Sequence, residues 1–489
     1  MFDPMNKINI CIVTLVLSAF LSPILTSVSA QNNTNLTSEL IDIESQFRDS
    51  TLSYTKWRVT FLNSLGTNGN TSQEYTAQYS INIIGGIHGG LDGRELGLLY
   101  NVETNYVHGF QIAGLGNVSL GEMSGLNIAG ITNYAQGPMS GLQLSGLANI
   151  SETSTEGLQL TAGLNVSAGV LSGMHIAGIA NLSQDDLTGL NLAGGFNVTN
   201  EDIEGLNLAG IANISNDDID GLTIAGIANV SAEDQSGLIM SSFANVSGDF
   251  MEGLILTGGV NAAKKIEGLS LSGVATLSND FTGLSISPLN IQKTITGLHV
   301  GFVNVAEEMD GASIGLVSWY GNGRKNVDIR YSDGGFLDMG FTTGTHRVYN
   351  QISVGFVPQE SNVFKLGGSI GLVFDMRDRF SRISKDNWTV THEFSLYQYM
   401  EDKWHRQNTK QFTYRYLISS MPNNQFSIYA GPSLNILKEG SVDNLTWYSM
   451  WSPSIKNTDY QVWVGFNLGI RLFKQEAVER VNFPLERNF

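Results

Sequence analysis

The chain has 489 residues, too many for one ordinary hydrophobic core, so we expect two or more domains. It carries 45 acidic and 27 basic residues, for a formal net charge of −18. This balance argues against a nucleic-acid partner, because neutralising phosphates requires clustered Lys and Arg. The 55 glycines are typical of a β protein with glycine-rich corners.

Residues 1–30 have the pattern of a secretory signal peptide. Lys7 supplies a positive charge, residues 8–25 are mostly apolar, and Val28-Ser29-Ala30 forms a small-residue cleavage site. An uncleaved membrane anchor is the alternative, which Pro23 and the cleavage-like end disfavour. We therefore expect an exported protein of the cell envelope, outer membrane or cell surface.

The single cysteine, Cys11, lies inside this segment. The exported chain is therefore expected to have no disulfide, no cysteine metal site and no lipid-modified cysteine. No later run of about 18 apolar residues occurs, so no membrane-spanning helix is predicted. Residues 31–75 are predicted to form a polar leader followed by an opening strand over residues 57–65.

Residues 76–323 contain a repeat that is most regular between Gly125 and Gly253. Glycines recur there at intervals of sixteen, at Gly125, Gly141, Gly157, Gly173, Gly189, Gly205, Gly221, Gly237 and Gly253. An asparagine follows eight residues after each, at Asn133, Asn149, Asn165, Asn181, Asn197, Asn213, Asn229, Asn245 and Asn261. Self-similarity at a short fixed period indicates a repeat architecture.

Within a unit numbered from its glycine, apolar residues occupy positions 2, 4, 7 and 10, and often 15. In the unit that begins at Gly205 these are Leu206, Leu208, Ile211, Ile214 and Ile219. The spacing of positions 2 and 4 predicts a strand with one buried face, and the later positions predict a turn into a second short strand. We therefore predict a β-solenoid with coils roughly 4.8 Å apart, in which the position-9 asparagines stack as a structural ladder. Glycines at positions 1 and 6 suit corners that need positive φ or close backbone approach.

An antiparallel meander or large barrel is the alternative geometry for the same repeat. Positions 2, 4, 6, 8 and 10 would then share one apolar face. This arrangement would leave Ile211 on the polar face, give position 15 no role, and require identical units to run in opposite directions. These costs favour the solenoid.

The period shortens to 15 and then 14 residues after Asn261, which predicts a tapering solenoid that ends near Gly323. Counting the asparagine position from Asn101 to Asn304 gives about fourteen coils, or a stack on the order of 65 to 70 Å long.

Residues 324–473 change to longer alternating runs rich in aromatic residues, and residues 474–489 form a charged tail. The runs predict roughly eight antiparallel strands, closed as a small barrel. Their length and apolar faces match membrane-spanning strands, and four tryptophans lie near predicted strand ends: Trp388, Trp404, Trp447 and Trp451. The charged tail after Phe473 is atypical of an outer-membrane barrel, so a soluble barrel that caps the solenoid is the alternative.

The repeat units resemble those of a bacterial surface-repeat family whose units read GLQIGLxN or GLQLAGLxN. The matching segments are residues 109–117, 141–149, 205–213 and 297–304, and the resemblance covers roughly residues 60–440. It implies an exported or envelope-associated bacterial protein without known activity. Most units here depart from the shorter form by having Ala at position 5 and Gly at position 6.

Acidic residues recur at positions 13 and 14 of four consecutive units, at Asp185, Asp186, Glu201, Asp202, Asp217, Asp218, Glu233 and Asp234. Stacked in a solenoid, these carboxylates would form a stripe that could attract Ca²⁺ weakly. The sequence lacks the aspartate-glycine loop of calcium-binding nonapeptide repeats, which favours the alternative that the stripe is a solvated turn edge that keeps the stack soluble. No cofactor is otherwise indicated.

Many ladder asparagines begin Asn-x-Ser/Thr triplets, which are glycosylation acceptors in eukaryotic secretory chains. In an exported bacterial protein we expect a structural role instead.

Catalytic motifs are absent from the sequence: it has no GxSxG, P-loop or HExxH segment, and no histidines at metal-ligand spacing. We therefore expect a non-enzymatic envelope protein, with the solenoid as a rigid spacer or interaction surface and the barrel as its anchor or cap. A carbohydrate- or polymer-binding solenoid is a second hypothesis, although the repeats have few aromatic residues. A barrel-borne pore or enzyme is a third, supported only by His392, Glu393 and Arg415. A membrane, a surface polymer or another protein are the partners we would consider.

Overall fold

The computed structural model describes residues 52–63, 65–332, 335–358, 360–376, 387–401, 405–423, 425–438 and 460–473. The predicted signal peptide, the charged tail, and Trp404, Trp447 and Trp451 lie outside these residues. Within them, no helix is long and apolar enough to cross a membrane.

The described chain folds into 39 strands and one short helix. The opening region contains β1 (Ser53–Asn63), β2 (Leu65–Gly66), a 3₁₀ helix (Gly69–Glu74), β3 (Tyr75–Gly97) and β4 (Tyr100–Ala113). Short strands of the repeat are β5 (Gly116–Ser119), β7 (Thr132–Ala135), β9 (Ala148–Ser151), β11 (Leu164–Ser167), β13 (Ala180–Ser183), β15 (Phe196–Thr199), β17 (Ala212–Ser215), β19 (Ala228–Ser231), β21 (Ala244–Ser247), β23 (Val260–Ala262), β25 (Ala275–Leu277), β27 (Leu289–Ile291), β29 (Val303–Ala306) and β31 (Val317–Tyr320). Long strands of the repeat are β6 (Glu122–Ala129), β8 (Met139–Ser145), β10 (Thr155–Thr161), β12 (Leu171–Ala177), β14 (Leu187–Ala193), β16 (Ile203–Ala209), β18 (Ile219–Ala225), β20 (Gln235–Ser241), β22 (Phe250–Thr257), β24 (Lys265–Ser272), β26 (Asp280–Ile286), β28 (Thr294–Val300) and β30 (Glu308–Ile314). The C-terminal strands are β32 (Arg324–Ser332), β33 (Leu337–Gly344), β34 (Val348–Val357), β35 (Glu360–Asp375), β36 (Asn387–Glu401), β37 (His405–Asn423), β38 (Phe426–Lys438) and β39 (Tyr460–Leu472).

Every repeat strand pairs in parallel with the equivalent strand of the next unit, one period along the chain. In β16 and β18, Gly205 lies opposite Gly221, and in β17 and β19, Asn213 lies opposite Asn229. One unit thus makes one coil with a long and a short strand, and about fifteen such turns stack. The predicted β-solenoid is confirmed, and the antiparallel meander is wrong because identical units stack on themselves in register.

The two glycine rows keep neighbouring coils close together. Gly205 has a φ of +97°, and a Cβ there would lie 2.3 Å from the carbonyl oxygen of Gly189. At position 6, a Cβ on Gly210 would lie 2.0 Å from the carbonyl oxygen of Gly194. A side chain at position 1 would push the coils apart, which explains why glycine recurs there with the period of the fold. Position 6 is glycine in most coils, and Ala162 and Ser242 take that place in two others.

The interior of the solenoid is not formed by the residues that the apolar pattern indicates. Positions 3, 5, 9, 11 and 15 point inward, so Asn207, Asn213 and Ile219 are fully buried. Leu206 and Leu208 at positions 2 and 4 are partly exposed on the outer face, so the prediction that they form the buried face was wrong. Successive side chains of a strand point to opposite faces, so positions 2 and 4 point outward when positions 3 and 5 point inward.

The interior differs between the two halves of the solenoid. From Ile239 onward, large apolar residues form one continuous core that extends through Phe281 to Tyr320. In the N-terminal half the large apolar residues at position 15 form two separate clusters, Leu91 to Met139 and Leu171 to Ile219, with the polar Thr155 between them.

Strands β32 to β39 form a closed antiparallel barrel of eight strands, as the sequence predicts. The barrel closes through β32 and β39, where Val327 lies opposite Leu472. The last solenoid coil packs against the β33–β34 end of the barrel. There the Ser318 amide donates to the Thr343 hydroxyl at 3.1 Å, and Asn350 Nδ2 donates to Ser318 Oγ at 2.9 Å. The solenoid therefore leads directly into the barrel.

Candidate functional site

The barrel interior contains a buried ionic network centred on Glu393 of β36. Arg330 of β32 donates to both Glu393 oxygens, at 2.7 and 3.1 Å, and Arg415 of β37 donates to Oε1 at 2.8 Å. Tyr349 of β34 donates its hydroxyl to Oε2 at 2.5 Å. Four strands thus converge on one carboxylate, and all four side chains are almost completely buried.

Further ion pairs occupy the same interior. Arg471 donates to Asp328 Oδ1 at 2.8 Å, and its guanidinium lies 4.5 Å from the ring centre of Tyr429. Lys365 Nζ lies 3.1 Å from Asp338 Oδ1. Because these side chains are buried against one another, they fill this part of the barrel.

The outer surface of the barrel is apolar. Outward-facing residues that are at least one-third exposed include Phe341, Ile352, Val354, Leu366, Ile370, Phe374, Phe394, Leu396, Phe412, Ile418, Ile428, Leu434, Phe466 and Leu468. Leu396, for example, is 59% exposed. The barrel therefore has charged groups inside and apolar groups outside, which is the reverse of a water-soluble domain.

The three barrel residues proposed from the sequence do not act as one group. Glu393 and Arg415 meet inside the barrel, whereas His392 points to the outer side. There His392 is hydrogen-bonded to the Tyr414 hydroxyl at 2.7 Å, with its ring beside Phe374 and Tyr416. Neighbouring residues on a strand face opposite sides, which separates His392 from the ionic network.

The position-9 asparagines form a continuous buried hydrogen-bonded row. Asn213 Nδ2 donates to Asn229 Oδ1 at 2.9 Å and to the Ile224 carbonyl at 3.1 Å, while Asn213 Oδ1 accepts from Asn197 at 2.8 Å. The same amide-to-amide contact joins all nine predicted ladder asparagines, Asn133, Asn149, Asn165, Asn181, Asn197, Asn213, Asn229, Asn245 and Asn261. Their amides face the interior and are occupied by these bonds.

The acidic residues lie along one corner of the solenoid in two rows with different environments. Carboxylates of the inner row, at position 14, accept hydrogen bonds from backbone amides of the next coil. The Asp218 amide donates to Asp202 Oδ1 at 3.0 Å, and the Asp234 amide donates to Asp218 Oδ1 at 2.9 Å. The same row includes Asp186, which accepts from the Asp202 amide at 3.4 Å. The inner carboxylates thus have a structural role at the corner.

The outer acidic row consists of Asp185, Glu201, Asp217 and Glu233. The Asp217 carboxylate beside Glu233 raises the pKa of that carboxyl group. Among the described residues, no three His, Cys, Asp or Glu side chains converge in a way that could hold a metal ion. The eight residues of the stripe lie in two rows along this corner.

A buried charge cluster in the first coils was missed by the sequence reasoning. Arg58 Nη2 donates to Glu95 at 3.0 Å and to Glu103 at 2.7 Å, and all three side chains are fully buried. Burial raises the pKa of Glu103 well above its usual value, and burial lowers the pKa of nearby His88 to about 3. The signal was present: Glu95 and Glu103 occupy positions 3 and 11, where later units have amides and serines. It could be recognised only once those positions were known to face inward.

Comparisons with protein-family models, with curated proteins and with solved structures find no match to this chain.

Proposed function

We propose that this protein is a non-enzymatic envelope protein whose C-terminal barrel spans an outer membrane and whose solenoid is a rigid rod anchored by it. The observation that carries the proposal is the polarity of the barrel, with ion pairs inside and apolar side chains outside. The export pattern of residues 1–30 agrees with this placement.

Lipid is the environment that suits such a barrel. A closed barrel satisfies its backbone hydrogen bonds between strands, which is a requirement in a bilayer. The apolar outer side chains on β33 to β39 would then contact acyl chains, while Glu393 and its partners stay shielded from them. The strands are 8 to 19 residues long, against about 9 to 11 residues needed to cross a bilayer.

Rigidity is the property that the solenoid adds. Its ladders run without interruption from β4 to β31, so bending would break backbone hydrogen bonds between coils. The contacts of Ser318 with Thr343 and Asn350 couple the last coil to the barrel. About fifteen coils at roughly 4.8 Å give a rod on the order of 70 Å long.

Membrane fractionation of the producing cell tests the proposal, with unboiled and boiled samples compared on SDS gels. We expect the full chain in the outer-membrane fraction, with faster migration before boiling because the closed barrel resists unfolding. Recovery in a soluble fraction without added detergent contradicts the membrane role.

Arginine substitutions sharpen this experiment. Ile352→Arg and Leu396→Arg place a charge on the outer barrel face, which costs about 2 to 4 kcal/mol near the bilayer midplane. We expect each to reduce the membrane-inserted fraction strongly. Glu233→Arg, on the exposed solenoid corner, is the matched control and should insert like the parent chain. Equal insertion of all three variants would contradict lipid contact.

A further inference from the structure

The outer side of the solenoid carries a continuous apolar surface. We define the apolar face as the outward side chains at positions 2, 4 and 7 of the coils that begin at Gly109 to Gly311. Positions 2 and 4 are apolar in all fourteen of these coils. Along the corner at position 7, Leu115, Ile179, Ile227 and Phe243 are exposed by 45, 54, 50 and 69%. Charged side chains lie elsewhere on the coil, between position 11 and the end of each unit.

The size of the apolar face exceeds what a free protein surface normally exposes. Fourteen coils at roughly 4.8 Å and a width of about 13 Å give on the order of 900 Å². The largest apolar patch of a typical monomer is about 300–600 Å². A stable protein interface buries about 800 Å² on each partner, so one partner can cover this face.

We propose that the apolar face binds the same face of a second copy of this chain. The face is ridged with the regular spacing of the coils, and a surface with the same spacing can interdigitate with it along the whole rod. A second copy provides that spacing in register, and two sheets with aligned strands pack about 10 Å apart. A two-fold axis parallel to the rods places equivalent coils of the two copies at the same height. Each copy then uses the same surface to contact the other.

The shape of the face supports this occupant. A shallow recess in the outer surface is lined by Ile224, Met240, Leu256 and Leu271, together with Ser241 and Ser242. Phe243, the most exposed apolar residue of the corner, belongs to the same coil as Met240. In the two-fold arrangement the recesses of the two copies lie at the same height along the rods.

Charge gives the dimer a characteristic salt dependence. Each chain has a formal net charge of −18, and the acidic residues at position 16, such as Glu204 and Asp220, border the apolar face. The like net charges of the two chains repel each other, and added salt screens that repulsion. We therefore expect association to become tighter as ionic strength rises.

Sedimentation of the purified full chain in a density-matched mild detergent measures the oligomeric state. We expect a dimer for the parent chain. The variant Ile211→Glu/Ile227→Glu/Phe243→Glu puts three charges on consecutive coils of the face and should raise the dissociation constant at least about a hundredfold. The matched control Glu201→Gln/Asp217→Asn/Glu233→Gln changes three residues on the opposite corner and should remain dimeric. Circular dichroism checks that both variants are folded.

Cross-linking tests the geometry. The one natural cysteine is Cys11, within the predicted signal peptide, so single cysteines can be placed cleanly. A short bis-maleimide should join two copies of Leu208→Cys and should not join two copies of Glu201→Cys. The proposal is overturned if the parent chain is monomeric, if the triple Glu variant associates as tightly as the parent chain, or if both cysteine variants cross-link equally. It is also overturned if the rod binds lipid vesicles as a monomer. These outcomes concern the solenoid, so they are separate from membrane insertion of the barrel.

Discussion

Replacing Asn213 by Ala tests whether the asparagine row holds the coils together. The substitution removes three hydrogen bonds, at 2.8, 2.9 and 3.1 Å, from a side chain that is completely buried. It also leaves the Ile224 carbonyl and Asn229 Oδ1 without that donor. At about 1 kcal/mol for each lost bond, and more for each buried group left unpaired, we expect a cost of about 3 to 5 kcal/mol.

Amide hydrogen exchange followed by mass spectrometry is the appropriate measurement, because coils of a solenoid open locally and contact only their neighbours. A cost of about 3 kcal/mol corresponds to roughly a hundredfold loss of protection. We expect this loss in β15, β17 and β19 and little change in the barrel strands.

Asn216→Ala is the matched control, since it changes the same residue type in the same coil. Asn216 is partly exposed and donates one bond of 3.3 Å, to Asn200. We expect it to change local stability by less than about 0.5 kcal/mol. Equal losses of protection in the two variants would refute the reasoning, because burial and satisfied amides would then not matter.

Three further substitutions probe the glycine rows and the two buried charge clusters. Gly205→Ala should destabilise its coil by at least about 1 to 3 kcal/mol, because φ is +97° and the carbonyl oxygen of the preceding coil would lie 2.3 Å from the new Cβ. Gly116→Ala should be mild, because the nearest atom would lie 3.3 Å from its Cβ, and urea midpoints compare the two variants. Glu103→Gln should stabilise the chain at pH 8 and much less at pH 4. Burial raises the pKa of Glu103 in the folded chain, so above the ordinary pKa of a glutamate the folded state is penalised relative to the unfolded state, and Gln removes that penalty. Thermal midpoints of the parent chain and the variant at the two pH values measure this difference. Glu393→Leu removes the carboxylate that pairs with the buried guanidinium groups of Arg330 and Arg415, which should cost about 3 to 5 kcal/mol of barrel stability. The temperature at which the barrel unfolds on SDS gels should therefore fall. His392→Phe, on the outer side, should leave that temperature nearly unchanged.

Each of these comparisons has a contradicting outcome. Similar urea midpoints for the two glycine variants would show that the coil spacing adapts to a side chain. A Glu103→Gln variant that is less stable at pH 8 than at pH 4, relative to the parent chain, would show that Glu103 is ionised in the folded protein. Barrel stability that responds equally at positions 392 and 393 would place both side chains in similar surroundings.

The sequence predicts the architecture well because the period is explicit. A glycine every sixteen residues and an asparagine eight residues later are enough to indicate stacked parallel coils. The barrel follows from long alternating runs, and the count of roughly eight strands agrees with the structure.

The orientation of side chains could not be read in the same way. Alternation shows that Leu206 and Leu208 share one side of a strand, but it does not show which side faces inward. The usual assumption that leucines are buried fails here, because the side chains at positions 3, 5, 9, 11 and 15 fill the interior and the position-9 asparagines there bond to one another. The same difficulty hid the Arg58 cluster and left the apolar outer face unrecognised.

The barrel network was partly visible in the sequence. Asp328 and Arg330 alternate with Val327, Ile329 and Tyr331 along β32, which places charges on one face and apolar groups on the other. What the pattern lacks is the partner of each charge, since Arg330 and Glu393 are 63 residues apart and meet only when the barrel closes.

Spin-label accessibility tests the membrane placement of the barrel most directly. Single nitroxides at Leu396→Cys, on the outer barrel face, and Asp220→Cys, on the charged border of the solenoid, are compared in lipid vesicles with oxygen and with a water-soluble nickel complex as relaxing agents. We expect oxygen to dominate at position 396 and the nickel complex to dominate at position 220. Relaxation at position 396 that is governed by the nickel complex, as at position 220, would contradict a membrane-spanning barrel.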